Sequence, residues 1–339
     1  SVTDISNIEF TLRAATCSYF VAKNIAVTRD LSTDSYLAAK LDVRVAADGT
    51  CKLLSNSLPN HDIGSFGIDF VSPVLAVPAE VKISSRPKLA DMASPSSFTR
   101  TDAILLNGVK LESLGPNCFS STDEKALCAN ANQPWRYDPR SGGANVILDA
   151  YFGHTEGTGL YHYHGGPAAL FEQFPNIDSP VIGFAADGFP IYGSYFTDKS
   201  GTLRTANSSY VLKPGSRPSG IREPGGSYDG TFVDDYEYIA GSGDLDECNG
   251  MTVEGQYGYY VTNAYPWVLG CLKGTPDDSF SKALEPVSLP QTLMSNYTSY
   301  DTRELLTAAA LISEHARDRK RNIKVFVWPV GSASREATL

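Results

Sequence analysis

Leu41-Asp42-Val43-Arg44-Val45-Ala46-Ala47-Asp48-Gly49-Thr50-Cys51 decides the fold class. Its first five residues alternate apolar and charged side chains, the period-two pattern of a half-buried strand. Ala46-Ala47-Asp48-Gly49 then supplies a turn before the cysteine. The same style recurs outward from this stretch. Ile8-Glu9-Phe10-Thr11-Leu12 alternates, and residues 68–74, 81–83 and 103–106 are short apolar runs separated by Pro, Ser and Gly. Residues 236–239 and 257–262 also read as strands. Residues 113–145 carry Gly115-Pro116-Asn117, Pro134, Pro139 and Gly142-Gly143, which predicts a long irregular segment of the kind that is functional or stapled down.

Near the C-terminus the period changes. Asp301 caps a helix, Glu304 completes a capping box, and Leu305, Leu306, Ala309, Ile312 and Ala316 form one apolar face. The spacing predicts a helix over about 301–319, followed by a strand over 323–328 closed by Pro329. The expected fold is mainly β, with antiparallel sheets in a sandwich-like, loop-rich arrangement and a short helical C-terminal appendage. The expected division is a β-rich domain over 1–280 and an extension over 281–339.

Composition narrows the partners. The chain has 339 residues, 42% hydrophobic and 11% aromatic, enough apolar surface for a substantial core. Lys and Arg number 28 against 38 Asp and Glu, a net charge of −10, and the only basic tract is the short Arg317-Asp318-Arg319-Lys320-Arg321. Such a chain is a poor binder of nucleic acid or anionic membrane. No apolar stretch approaches the ~20 residues needed to span a bilayer. No Gly-x-Ser-x-Gly elbow, Walker loop or His-Glu-x-x-His helix occurs, so hydrolase triads, nucleotide binding and zincin proteolysis have no support.

The six cysteines are Cys17, Cys51, Cys118, Cys128, Cys248 and Cys271, none in a Cys-x-x-Cys pair. Their order suggests Cys17–Cys51, Cys118–Cys128 and Cys248–Cys271, although six cysteines allow many other pairings. An even count of this kind points to an oxidising compartment. Sequons at Asn207 and Asn296 fit a glycosylated secretory protein. The chain opens on Ser1-Val2-Thr3, as expected of a mature chain after signal-peptide removal. A secreted, extracellular location is the expectation.

Only five histidines occur, and three fall in a short span: His154, His162 and His164. In Leu160-Tyr161-His162-Tyr163-His164-Gly165-Gly166-Pro167, a strand places both imidazoles on one face and both phenols on the other. Two imidazoles so placed can chelate one ion. His154 lies across the loop Glu156-Gly157-Thr158-Gly159, which can bring a third. Three His with an open fourth position is a catalytic-type zinc shell, and imidazole suits copper and iron as well. Asp187, at the end of an apolar strand and before Gly188, is a candidate ligand, orienting carboxylate or general base, or simply the anchor of its own turn. Asp149 has the same alternatives. The acidic loop Asp244-Leu245-Asp246-Glu247 lacks an EF-hand pattern and reads better as a solvated loop held by Cys248.

Tyr161-His162-Tyr163-His164 is also the signature of the YHYH-domain proteins, and the flanking sequence is similar to that family. Leu148-Asp149-Ala150 with Gly153-His154 resembles its lead-in, and Ser179-Pro180-Val181-Ile182-Gly183-Phe184-Ala185-Ala186-Asp187-Gly188-Phe189-Pro190-Ile191-Tyr192-Gly193 resembles a further family segment. So do Asn56-Ser57-Leu58-Pro59-Asn60-His61, Leu106-Asn107-Gly108-Val109, Tyr228-Asp229-Gly230-Thr231-Phe232, Asp244 through Gly250, Tyr259-Tyr260-Val261-Thr262 and Cys271-Leu272-Lys273-Gly274. The resemblance spans roughly residues 50–280. It implies a secreted or surface protein suspected of binding metal, and it adds His61 as a candidate fourth ligand. His315 matches no family motif.

Two functions follow as expectations. The first is a secreted, disulfide-stabilised protein binding Zn, Cu or Fe at the His cluster, with enzymatic activity if the shell stays open. The second is a structural or adhesive component of an extracellular coat or filament, self-associating through the strand at 323–328.

Overall fold

The computed structural model describes residues 1–123, 126–130, 132–143 and 146–282, and the backbone of two strands, Lys324–Val327 and Arg335–Thr338. β-strands dominate, and the helical turns among the described residues are short 3-10 segments. The helix expected over 301–319 lies outside the described residues. The strand expected at 323–328 corresponds to Lys324–Val327, paired antiparallel with Arg335–Thr338.

Two sheets carry the fold. The smaller has five strands in the order Val2–Asp4, Ala22–Asp30, Ser35–Val45, Thr50–Ser55 and Ala79–Ser84. The deciding stretch of sequence runs through it as expected. Leu41 and Val43 are buried, and the turn after Val45 feeds the strand that holds Cys51. Asp42 is buried as well, paired with Arg44.

The larger sheet has eight strands in the order Gly250–Val253, Gln256–Tyr260, Pro190–Tyr192, Val181–Ala185, Ala103–Leu105, Lys110–Leu111, Tyr161–Tyr163 and Gly153–Thr155. It is mixed rather than antiparallel throughout: Pro190–Tyr192 runs parallel to Gln256–Tyr260, and Lys110–Leu111 parallel to Tyr161–Tyr163. The smaller sheet also holds one parallel pair, Val2–Asp4 with Ala22–Asp30. Residues of both sheets meet in one apolar core that includes Leu41, Leu53, Val81, Ile104, Tyr161, Tyr163, Phe184 and Tyr259.

Some expected strands are not strands. Residues 8–12 are irregular; Phe10 donates its N–H to the Leu170 carbonyl, and the Leu12 carbonyl accepts from Val181. Residues 68–74 are irregular, with a single bridge at Ile68. Alternation makes a segment extended, but a ladder also needs a neighbour with free backbone groups. The irregular stretch over 113–143 is as expected, stapled by Cys118–Cys128 and by a small separate core of Trp135, Tyr137 and Phe232.

The three disulfides join Cys17–Cys51, Cys118–Cys128 and Cys248–Cys271. Such cross-links fit an extracellular protein. Among the described residues no helix is long and apolar enough to cross a membrane. Asn207 is exposed, and Asn296 lies outside the described residues.

Candidate metal centre

The site lies at one end of the larger sheet. Tyr161–Tyr163 pairs antiparallel with Gly153–Thr155, so that His162 faces His154 directly across the ladder. It pairs on its other side with Lys110–Leu111, where His162 lies beside Lys110. Facing residues on one side of a sheet stand close enough for their side chains to meet. His164 follows the strand on the same side, its N–H bonded to the Phe152 carbonyl at 2.8 Å.

The phenols take the other face. Tyr161 and Tyr163 are fully buried in the core. The Tyr161 hydroxyl donates to Asp149 Oδ2 at 2.7 Å. Asp149 also accepts from the N–H groups of Tyr151, Gly153 and Gly64, so it fixes the turn that launches His154. Gly153 is required here, because a Cβ would meet the Tyr161 hydroxyl oxygen at 2.1 Å.

The three imidazoles converge through Nε2. His154 Nε2 is 3.0 Å and His162 Nε2 is 3.2 Å from His164 Nε2. Each of the three offers a ligand atom, and these atoms lie within 4.8 Å of one another. His162 and His164 are buried, whereas His154 is partly open to solvent. His164 Nδ1 lies 2.6 Å from the Glu112 carbonyl, which can only accept. The proton of His164 therefore sits on Nδ1, and Nε2 presents a lone pair to its neighbours. His162 Nδ1 faces the backbone of Leu160 without a well-formed hydrogen bond.

Electrostatics keep these rings neutral. Burial lowers the His154 pKa from 6.5 to about 4, with Glu112 opposing the shift. Burial and the neighbouring imidazoles also lower His164, and burial, His154 and two lysines, Lys282 and Lys110, lower His162. Neutral imidazole is the form that binds a metal.

Glu112 is the carboxylate of this site, and sequence reasoning missed it. Its Oε2 lies 3.9 Å from His162 Nε2 and is ion-paired with Lys282. Its Oε1 is buried without a hydrogen-bond partner among the described residues. Its place emerges only in the fold: just past the parallel pairing of Lys110–Leu111 with Tyr161–Tyr163, the Glu112 N–H donates to the Tyr163 carbonyl at 2.9 Å.

His61 stands elsewhere. Its Nδ1 faces the Asp62 carbonyl at 2.8 Å, which places the proton there, and its Nε2 lone pair accepts from the Tyr163 hydroxyl. Tyr163 in turn accepts from Asn107 Nδ2 at 2.9 Å. The structure thus puts His61 behind the strand, with both nitrogens engaged, and not with the other three. Asp187 is similarly committed: it accepts from the Tyr259 hydroxyl at 2.6 Å, the Gly274 N–H at 2.9 Å and the Phe189 N–H at 3.2 Å. None of these bonds reaches an imidazole. Burial raises its pKa, opposed by Tyr259. Of its alternatives, the geometry realised is the turn anchor. The acidic loop is also internally paired, with Asp244 on Arg204 and Asp246 capping the N–H groups of Cys248 and Gly250.

The donor set fits a transition metal. Tetrahedral coordination at Zn–N distances of ~2.0–2.1 Å asks for nitrogens about 3.3 Å apart, close to the two short separations at His164 Nε2. A single in-plane lone pair accepts one proton, so hydrogen bonding satisfies only one of those contacts, whereas a cation satisfies all three nitrogens together.

A mainly β, disulfide-cross-linked scaffold carrying three convergent imidazoles on one strand pair is the class that this fold and site define. The chain belongs to the YHYH protein family, whose model matches residues 80–274. The three converging His, Glu112 and Asp187 fall within the match, and His61 precedes it. No curated protein and no solved structure matches the chain.

Proposed function

We propose that this chain is an extracellular protein that holds one transition-metal ion, Zn, Cu or Fe, on His154, His162 and His164. The observation that carries the reading is the convergence of three Nε2 atoms, two of them 3.0 and 3.2 Å from the third. The tautomer of His164, fixed by the Glu112 carbonyl, supports it, because the lone pair is presented before any ion arrives. Glu112 adds negative charge beside the rings, and Lys282 moderates it. Three protein ligands leave a coordination position open, where a bound ion supplies Lewis acidity to water or another small ligand. An oxidising compartment agrees with the three disulfides and with the exposed sequon at Asn207.

The test is elemental analysis of tag-free protein before and after reconstitution. The expected result is about one equivalent of ion per chain, lost in His162→Ala and His164→Ala but kept in His61→Gln. Less than about a tenth of an equivalent in the wild type after reconstitution overturns the proposal.

A further inference from the structure

Next to Phe152, at the edge of the imidazole cluster, stands an arginine whose guanidinium meets two aromatic rings and only the field of Asp138. Arg140 belongs to the short turn Pro139–Ser141, and its backbone N–H caps onto Asp138 Oδ1 at 2.9 Å. Its guanidinium carbon is 3.6 Å from the centre of the Phe152 ring and 3.8 Å from the centre of the Trp267 ring. The guanidinium carbon is thus held over the faces of both rings. A ring contact of this kind uses the cation's charge but takes up none of its five N–H donors.

Those donors are unspent. Among the described residues no side-chain N–H of Arg140 donates a hydrogen bond and no carboxylate lies within ion-pairing distance, whereas other arginines, such as Arg204 and Arg217, are each paired with two aspartates. The obvious partner, Asp138, is occupied: its oxygens accept from Trp267 Nε1 at 3.3 and 3.0 Å. Asp138 thus bonds one jaw of the clamp and acts on the Arg140 cation through its field, without a direct ion pair. Both jaws also have left-handed backbones, Phe152 with φ 61° and Trp267 with φ 67°, a region aromatic residues rarely adopt. Arg140, Phe152 and Trp267 are all half-buried, so the stack reaches the surface. Burial lowers the Arg140 pKa to about 10, which leaves the group cationic at neutral pH.

The clamp borders the metal centre. Phe152 is two residues from His154, and its carbonyl receives the His164 N–H. We propose that Arg140, clamped between Phe152 and Trp267, is the recognition group of a ligand subsite at the border of the His cluster, and that it takes the carboxylate of a ring-bearing ligand. A carboxylate matches the fork of a guanidinium with two parallel hydrogen bonds, and the flanking rings offer apolar surface for the rest of the molecule. The inference does not depend on metal occupancy.

The test uses the full chain after chelator treatment, so that it reads this subsite and not the ion. Glucuronate, glucose and inorganic sulfate are titrated separately, followed by calorimetry and by tryptophan fluorescence, to which Trp267 contributes. The expected result is saturable binding of glucuronate, weaker binding of sulfate and none of glucose. Arg140→Lys keeps the charge but loses the planar fork, and is expected to weaken glucuronate by about tenfold or more. Arg140→Met is expected to abolish it, with thermal melting used to show that each variant is folded; should the Met variant not fold, the Lys variant decides. The proposal is overturned if the wild type shows no saturable binding of glucuronate, if Arg140→Lys binds it as well as the wild type, or if sulfate binds as tightly.

Discussion

Lowering the pH of the metal-free protein should expose His61 as a buried, neutral support of the fold. The residue is 2% exposed, and burial lowers its pKa from 6.5 to about 4, with the Asp62 carbonyl opposing the shift. The folded state therefore holds fewer protons than the unfolded state between those two values. Stability from this residue is complete above the unfolded pKa and is lost as pH falls toward the folded one. The shift of about 2.5 units corresponds to about 3 kcal/mol in total, of which about 2 kcal/mol falls between pH 7 and pH 5. His61→Gln removes the titrating group while keeping an acceptor for the Tyr163 hydroxyl. The three converging His titrate in both proteins and cancel in the comparison, provided the sites act independently. The assay is urea unfolding of chelator-treated wild type and variant across that range. The variant is expected to be less stable at neutral pH, with the gap shrinking by about 2 kcal/mol on acidification. A gap that stays constant would refute the assignment of His61 as a buried neutral group.

Three further outcomes are expected. Because burial already holds His154 near a pKa of about 4 and the other two rings below their usual value, zinc affinity measured by chelator competition should stay nearly flat from neutral pH to about pH 5; a tenfold loss per unit setting in at about pH 6.5 contradicts this. Glu112→Gln keeps the carbonyl that orients His164 but removes the charge beside His162, and should weaken zinc about tenfold, an effect that unchanged affinity would deny. Asp235, fully buried, accepts from Arg217 and from the N–H groups of Gly230 and Phe232; Asp235→Asn leaves the buried Arg217 charge with the more exposed Asp229 alone and should cost about 3 kcal/mol in denaturant unfolding, with a loss under about 1 kcal/mol counting against the pair.

Much of this architecture is legible in local pattern. Alternation marks the strands around Leu41 and Val43, and the Tyr-His-Tyr-His run predicts the two faces that the structure shows. Legibility fails where a residue's role depends on distant chain. Residues 8–12 alternate but lie against Leu170 and Val181, in no ladder. His61 sits in a family-like motif, yet its lone pair is claimed by Tyr163, a hundred residues away in sequence, on the far side of the strand. Asp187 looks equally suited to a cleft and to a turn, and only the positions of Tyr259 and Gly274 decide between them. Glu112 was hidden because its relevance arises from a parallel pairing between Lys110–Leu111 and Tyr161–Tyr163, which no local signal announces.

The strand Tyr161–Tyr163 holds the core with one face and the candidate metal centre with the other. A slip of one residue against its neighbours would exchange those faces, placing phenols where the ion belongs and imidazoles in the apolar interior. Such a chain would lose the Tyr161–Asp149 and Tyr163–His61 bonds and the convergent nitrogens in the same step. Misregistered molecules are thus both unstable and unable to take up metal. If the proposed ion binds, its uptake reports assembly quality, and a preparation's metal stoichiometry should track its fraction of correctly paired chains.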